Sequence, residues 1–141
     1  MSSQEQIVTS QKLSSSPSGC DCTFVKIGNS GMKIYREQKH RDRQFDLQGK
    51  FHKHGLAPQC WFSFDFKGPN GQTLYAYYSE VAETQDTLGY DRCRDLIARL
   101  RDRVENEFGV KWGDHHADNV GVLNGADVII DFGYMKNCEN L

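Results

Sequence analysis

Residues 112–133 read WGDHHADNVGVLNGADVIIDFG, and this stretch decides the fold. Its centre is typical of a β-hairpin, because the apolar runs VGVL and DVII flank the turn-forming pair Asn124-Gly125. Asp114 and Asn119 precede the hairpin, and Asp131 follows it as the first residue of an Asp-Phe-Gly tripeptide. Since a hairpin returns the chain to its starting point, the loops before and after it are predicted to lie together.

The order and spacing of these residues resemble the protein-kinase-like superfamily. In that family an Asp, four further residues and an Asn form the catalytic loop, and a metal-binding Asp-Phe-Gly follows it. The resemblance implies that Asp114 orients or deprotonates the acceptor hydroxyl. It also implies that Asn119 and Asp131 hold Mg²⁺ against the phosphates of ATP. Phosphoryl transfer depends on positioning and charge neutralisation, so the two loops must converge.

Within this superfamily, the loop is more similar to small-molecule kinases, such as aminoglycoside phosphotransferases, than to Ser/Thr protein kinases. His116 follows Asp114 by two residues, as in the pattern G-D-x-H-x-x-N. Trp112 departs from the pattern, because those families usually carry a histidine there that braces the loop.

Two upstream residues correspond to the lysine and its partner in such kinases. Lys33, in the run MKIYR, stands where a strand lysine pairs with the α- and β-phosphates. Counting back from Pro58 places Gln44 where the glutamate partner of that lysine usually lies. The predicted contact is therefore Lys33 with Gln44, which lacks the usual ion pair.

Two further segments resemble parts of the nucleotide site. Residues 77–83 (YYSEVAE) resemble the hinge that binds adenine, with backbone groups of Glu80 and Ala82 facing the ring. Residues 14–19 (SSSPSG) resemble the phosphate-covering loop of small-molecule kinases. Residues 1–19 are otherwise predicted to form a flexible tail or one short edge strand.

Periodicity and turn signals predict an α+β order for the rest of the chain. The predicted elements are strands at 22–27 and 32–35, a helix at 37–54, strands at 60–66 and 73–81, and a helix at 91–108. We expect one minimal kinase-like domain over residues 20–141. Its small lobe, an antiparallel sheet with one helix, would extend with the hinge to residue 83. A reduced second lobe of one helix and the hairpin would occupy residues 84–141.

The helix at 91–108 also suggests a partner. Its apolar stripe comprises Cys93, Leu96, Ile97, Leu100, Val104 and Phe108. The large helical lobe that buries this helix in kinases does not follow in the sequence, and exposed apolar patches usually mark an interface. The sequence therefore predicts a homodimer or an obligate protein partner.

Composition argues against several other classes of protein. The formal charge of -2 and the mixed signs of the 26% charged residues offer no basic field for nucleic acid. Five cysteines without C-x-x-C spacing argue against a disulfide framework and favour reduced, cytoplasmic thiols. No apolar run approaches the roughly 20 residues that cross a bilayer. We therefore expect no nucleic-acid partner and no membrane association.

Alternative interpretations of these residues stay open at this stage. The pair His115-His116 beside Asp114 and Asp118 could bind a transition metal. Lys33 could be a solvent-exposed strand lysine. The aromatic residues Phe62, Phe64 and Phe66 are predicted to be sheet core and not a base-stacking platform.

Two functions follow from the resemblance. The first is an ATP-dependent phosphotransferase with an unspecified acceptor, which the intact Asp114, Asn119 and Asp131 favour. The second is a pseudokinase-like module that binds nucleotide or a protein partner without catalysis, which Gln44 and Trp112 favour.

Overall fold

A five-stranded antiparallel sheet forms the first half of the fold, in the order β1-β2-β3-β5-β4. The structure is a computed structural model that describes residues 7–12, 22–113 and 116–141. The strands are β1 (Ile7–Lys12), β2 (Cys22–Ile27), β3 (Ser30–Tyr35), β4 (Cys60–Lys67) and β5 (Thr73–Glu80). Of the two predictions for the first 19 residues, the edge strand is therefore correct for β1. The predicted phosphate-covering loop at 14–19 lies outside the described residues.

The turn between β2 and β3 is tighter than the sequence predicted. Ile27 pairs with Ser30, so only Gly28 and Asn29 form the loop, and Ser30 and Gly31 already belong to β3. Gly28 has a φ of 60°. Positive φ at the first loop residue suits the primed turns that match the twist of a hairpin, and glycine adopts it without strain.

β4 contains an irregularity that the sequence did not reveal. The register with β5 shifts between Trp61 and Phe64, and Phe62 has a φ of 54°. Because a bulge adds residues to one strand, the simple alternation of faces is lost there. Phe62 is 73% exposed, so its prediction as sheet core is wrong. Phe64 and Phe66 are half-buried, with ring centroids 5.9 Å apart.

Helix α1 (Gln38–Lys53) packs against the sheet through a face that is unusually polar. Its buried residues are Arg41, Gln44, Leu47, Gln48 and Phe51. The Arg41 guanidinium donates to the carbonyl oxygen of Phe64 at 2.9 Å and lies 3.1 Å from the Asp65 carboxylate. These contacts join the start of α1 to β4, and they explain why the apolar pattern of this helix was thin.

The second half contains two helices and two small sheets. The elements are α2 (Gln85–Leu88), α3 (Tyr90–Phe108), β6 (Lys111–Trp112), a 3₁₀ turn (Ala117–Asn119), β7 (Val120–Leu123), β8 (Ala126–Ile129) and β9 (Met135–Lys136). β7 pairs with β8 around Asn124 and Gly125, whose φ angles are 52° and 82°. Two positive φ angles are typical of a type I′ turn, so the predicted hairpin is confirmed.

The apolar stripe of α3 is buried within the single chain. Cys93, Leu96, Leu100 and Val104 are 0–2% exposed and Ile97 is 9% exposed. They share one core with Phe51 and Leu56 of the first half and with Trp112, Val120 and Ile129 of the second. Cys138 and Leu141 also pack against it.

The exposed stripe on which the dimer prediction rested is therefore not present in the described part of the chain. The homodimer or obligate partner stays a prediction without that support. None of the described helices is long and apolar enough to span a membrane.

Candidate functional site

A cleft of about 510 Å³ lies where the sheet, the segment after β5 and the segment after β8 meet. The sheet contributes Phe24, Lys26 and Lys33, the end of β5 with the segment after it contributes residues 79–84, and Ile130 follows β8. The predicted phosphate ligand Lys33 and the predicted hinge residues Glu80 and Ala82 therefore line the same cavity. Ligand sites commonly have volumes of roughly 300–1,000 Å³, so the cleft has the size of a small-molecule site.

Lys33 is a buried residue that lines this cleft. The residue is 4% exposed, and its Nζ donates to the carbonyl oxygen of Ile130 at 2.6 Å and to Gln48 Oε1 at 3.0 Å. Nζ also lies 5.7 Å from the ring centroids of Tyr77 and Phe132. A buried ammonium group requires such polar and π partners. The alternative of a solvent-exposed strand lysine is therefore wrong.

The side-chain amide that contacts Lys33 belongs to Gln48 and not to Gln44. Counting back from Pro58 misplaced the partner by one helical turn. Gln48 Oε1 also accepts from the Tyr77 hydroxyl at 2.8 Å, and Nε2 donates to the Pro58 carbonyl at 3.0 Å and to Ser79 Oγ at 2.8 Å. Gln48 was missed, although it follows Gln44 by four residues and thus shares its helix face.

Gln44 instead contacts the Asp-Phe-Gly segment. Its Oε1 accepts the backbone N–H of Phe132 at 3.0 Å, and the residue is 3% exposed. In the same segment, Asp131 Oδ1 accepts the backbone N–H of Gly133 at 3.2 Å. The two glutamines therefore connect one face of α1 to both Lys33 and the predicted metal loop.

The loops of Asn119 and Asp131 are joined through their backbones. The N–H of Ile130 donates to the carbonyl oxygen of Asn119 at 2.8 Å, which places Asn119 next to the residue before Asp131. Asn119 is buried and Asp131 is half-buried. Their side chains offer amide and carboxylate oxygens, the donor type that Mg²⁺ prefers, and Mg²⁺ usually takes its remaining ligands from phosphate and water. The residues present therefore fit a magnesium ion.

Asp114, the predicted catalytic residue, and His115 lie outside the described residues. The alternative transition-metal site includes both residues and lies outside them for the same reason. Within residues 7–12, 22–113 and 116–141, no group of three or more His, Cys, Asp or Glu side chains is arranged to hold a metal ion.

Trp112 supports the segment after Asp-Phe-Gly through its backbone. It is 3% exposed and pairs with Met135 in the β6–β9 ladder. The Gly113 N–H donates to the carbonyl oxygen of Tyr134 at 3.0 Å. The guanidinium of Arg43 on α1 donates to the carbonyl oxygen of Met135 at 2.6 Å. A short ladder and an arginine thus hold the segment after Asp-Phe-Gly.

The segment after β5 resembles a hinge that is fixed at both ends. At its start, Glu80 exchanges two hydrogen bonds with Gln59, one through its backbone N–H and one through its carboxylate. At its end, Glu83 and Val122 exchange backbone hydrogen bonds of 2.8 and 2.9 Å. Among the described residues, the N–H and C=O of Ala82, between these ends, have no hydrogen-bond partner. They line the cleft and can accept the edge of a planar ligand.

The hydroxyl and thiol groups around Lys33 stay neutral at pH 7. Burial raises the pKa of Tyr35 and of Tyr77 well above 10.0, and the negative charge of Asp131 adds to both shifts. Burial also raises the pKa of the Cys60 thiol, which the positive charge of Lys33 partly offsets.

No protein-family model matches the chain, and no curated protein sequence matches it. Among solved structures, the chain is similar to the kinase PK-1 of Cydia pomonella granulovirus, with a TM-score of 0.50 and 13% sequence identity. The chain has a kinase-like fold. The match covers 95% of this chain and 53% of the viral kinase, so the chain spans about half the length of that protein. At this identity the similarity concerns the fold alone.

Proposed function

We propose that this chain binds ATP with Mg²⁺ and transfers the terminal phosphoryl group to an acceptor. One observation carries the proposal: the Lys33 ammonium lies 2.6 Å from the carbonyl oxygen of Ile130, the residue before Asp131, and both residues line the cleft. The N–H of the same Ile130 is bonded to Asn119. Ile130 therefore joins Lys33 to the segments that carry Asn119 and Asp131, and the phosphates of a bound nucleotide would lie beside this junction.

Each described residue of the site has a role that its position supports, and the role of Asp114 rests on its motif. The base would lie along the segment that contains Ala82, and the phosphates would extend toward Lys33. Asn119 and Asp131 would hold Mg²⁺, which neutralises phosphate charge during transfer. Gln44 and Gln48 position the metal loop and Lys33 respectively, because their amides bond the Phe132 N–H and the ammonium group. Asp114 would orient the acceptor hydroxyl.

A pseudokinase-like nucleotide-binding module is the second candidate function. The observation that favours it is the partner of Lys33 on α1, which is the neutral amide of Gln48 at 3.0 Å in place of a carboxylate. Such a module would bind Mg-ATP but would not transfer phosphate. Binding and transfer must therefore be measured separately.

Thermal unfolding with and without Mg-ATP tests the shared part of both functions. A ligand at a hundredfold excess over its Kd stabilises the folded state by about 2.7 kcal/mol, so the melting temperature should rise. Asp131→Asn should remove the dependence of this shift on Mg²⁺. The matched control is Asp127→Asn. Asp127 lies on β8, shortly before Asp131, and its carboxylate forms an ion pair with the exposed Arg99. An unchanged melting curve of the wild type at saturating Mg-ATP would contradict the proposal.

A further inference from the structure

The two faces of the five-stranded sheet differ in their chemistry. Directly paired residues of neighbouring strands project from the same face of a sheet. Lys33 pairs with Tyr77, whose ring centroid lies 5.1 Å from that of Phe45 on α1, so this face carries both the cleft and the helix. The alternate residues of each strand project from the opposite side, which we call the outer face of β2–β5. In antiparallel sheets the side away from the core is commonly polar.

The outer face of β2–β5 is apolar instead. One row of paired residues across its four strands consists of Val25, Met32, Tyr78 and Trp61. Val25 is buried, and the other three residues of the row are half-buried. The Tyr78 ring also contacts that of Phe64, at 5.3 Å between centroids, in the next row.

The apolar surface continues through two further rows. Ile34, Ala76 and Phe64 form the first of them, and Phe66 pairs with Leu74 in the second. Ala76 is fully buried, whereas the larger side chains around it are half-buried. Neither hydrophobic core of the described residues includes a side chain of this face. The outer face is therefore an apolar layer on which no described core is built.

Charge is nearly absent from this surface. Among the residues that β2–β5 place on the outer face, Glu80 is the only charged one, and it lies at the border beside Ser30. Its carboxylate accepts the N–H of Gln59 at 2.8 Å. In a two-fold interface the same patch occurs on both partners, so a charge near the axis would meet a like charge. The outer face can therefore pair with a copy of itself without opposing charges.

The size of the outer face fits a reversible dimer. Its strands have six to eight residues each. Four strands about 4.8 Å apart, with a rise of about 3.3 Å per residue, cover a flat area of about 440 Å². Two copies would bury about 880 Å² before the relief of the side chains is added, close to the roughly 1,000 Å² that a specific interface should exceed. Tryptophan and tyrosine, present here as Trp61 and Tyr78, are common anchors of interfaces.

The edge of the sheet disfavours the other way in which two sheets can associate. β4 is an outer strand, and its register with β5 shifts between Trp61 and Phe64. Phe62 has a positive φ at this bulge. Irregularities of this kind interrupt the row of backbone groups that a further strand would pair with. Two copies would therefore meet through their faces and not through β4.

We propose that the outer face of β2–β5 is a homodimer interface, at which two copies of this chain pack sheet against sheet. Packed sheets lie about 10 Å apart, and the side chains of the two inner faces interdigitate. The inference does not rest on the proposed function, because the outer face lies on the side of the sheet opposite to Lys33. It gives the predicted homodimer a surface other than the α3 stripe.

Sedimentation of the whole chain over a micromolar concentration series measures the association. The wild-type mass should rise from monomer to dimer as the concentration increases. Ile34→Glu introduces a carboxylate in the middle of the outer face, so its dimer Kd should rise by about tenfold or more. Gln72→Glu adds the same charge in the exposed turn between β4 and β5, and as the matched control it should dimerise like the wild type. A melting curve shows whether Ile34→Glu folds.

Tryptophan fluorescence locates the interface without a disruptive variant. The chain has two tryptophans: Trp61 is half-buried on the outer face, and Trp112 is 3% exposed. The emission should shift to shorter wavelength as the concentration rises, because Trp61 loses contact with water in the dimer. Trp61→Phe should still dimerise but show no shift, because Trp112 is buried already.

The outcomes decide between the possible occupants of the outer face. A wild type that stays monomeric throughout the series refutes the inference, whether the face is then covered by a partner of different sequence or by residues 13–21. A dimer with unchanged emission, or a folded Ile34→Glu that dimerises like the wild type, places the interface elsewhere and also overturns it. If Ile34→Glu does not fold, the comparison of the wild type with Trp61→Phe decides.

Discussion

Gln48→Leu should destabilise the fold more than any other glutamine-to-leucine change on α1. Gln48 is fully buried, and its amide makes four hydrogen bonds to groups on three different elements or loops. Leucine has a comparable size but neither donates nor accepts. The substitution therefore isolates the hydrogen bonds from the packing.

The magnitude follows from which partners keep another contact. Lys33 retains the Ile130 carbonyl, and the Ser79 hydroxyl retains the carbonyl oxygen of Glu80 at 2.8 Å. The Pro58 carbonyl oxygen loses the donor that Gln48 supplies. The Tyr77 hydroxyl likewise loses the acceptor for its proton. An unsatisfied buried polar group costs about 1–3 kcal/mol, so two such groups cost about 2–6 kcal/mol. Total stabilities of domains are about 5–15 kcal/mol, so this loss is large.

Urea denaturation of three variants on the same helix measures the effect. Gln44→Leu removes one hydrogen bond, from the Phe132 N–H, and should cost about 1–3 kcal/mol. Gln38→Leu changes an exposed residue and should stay within about 0.5 kcal/mol of the wild type. If Gln48→Leu is no less stable than Gln38→Leu, the network does not stabilise the fold and the reasoning is refuted.

Three other expectations concern catalysis, the hinge and pH. Asp114→Ala should abolish phosphate transfer but leave Mg-ATP affinity nearly unchanged, and equal loss in transfer and binding assays would contradict its role. Gly121→Ala should lower the urea midpoint and weaken Mg-ATP binding, because its Cβ would lie 2.3 Å from the Glu83 carbonyl oxygen. Gly49→Ala on α1, where an added Cβ would meet no atom within 4 Å, should do neither. The raised pKa values of Tyr35 and Tyr77 mean that the folded state keeps two protons that the unfolded chain loses near about pH 10. Stability should therefore be complete below that pH and fall above it, and absorbance at alkaline pH should show the two phenolates only as the protein unfolds.

Local signals in the sequence predicted the regular elements well. Asn124-Gly125 sits at the turn of β7 and β8, and Gly109 ends α3 in the left-handed conformation with a φ of 70°. Both are short-range effects, because a glycine or asparagine selects the backbone geometry at its own position. The kinase-like fold was predicted in a different way, from the resemblance of the motifs in residues 112–133 to those of a known superfamily.

Contacts between distant elements could not be predicted in the same way. The spacing between α1 and Pro58 does not reveal how many residues the turn after the helix uses, so the partner of Lys33 was placed at Gln44. The bulge at Phe62 has no signature in a run of alternating aromatic residues. The burial of the α3 stripe depends on Phe51, Leu56 and the β7–β8 hairpin, which are distant in the sequence and contact it only in the folded chain.

Gln48 also indicates how Lys33 is positioned without a carboxylate from α1. The Nε2 group donates to the Pro58 carbonyl and to Ser79 Oγ, whereas a carboxylate at this position would have no proton for either acceptor. The surroundings therefore select an amide, and its Oε1 holds the ammonium by a hydrogen bond to a neutral group. This contact adds no negative charge beside the place proposed for the phosphates. It is also less sensitive to salt than an ion pair. The arrangement is therefore consistent with a site that stays assembled before nucleotide binds, because α1 is joined to Lys33, Ser79 and the Asp-Phe-Gly backbone by neutral groups whose bonds are already made.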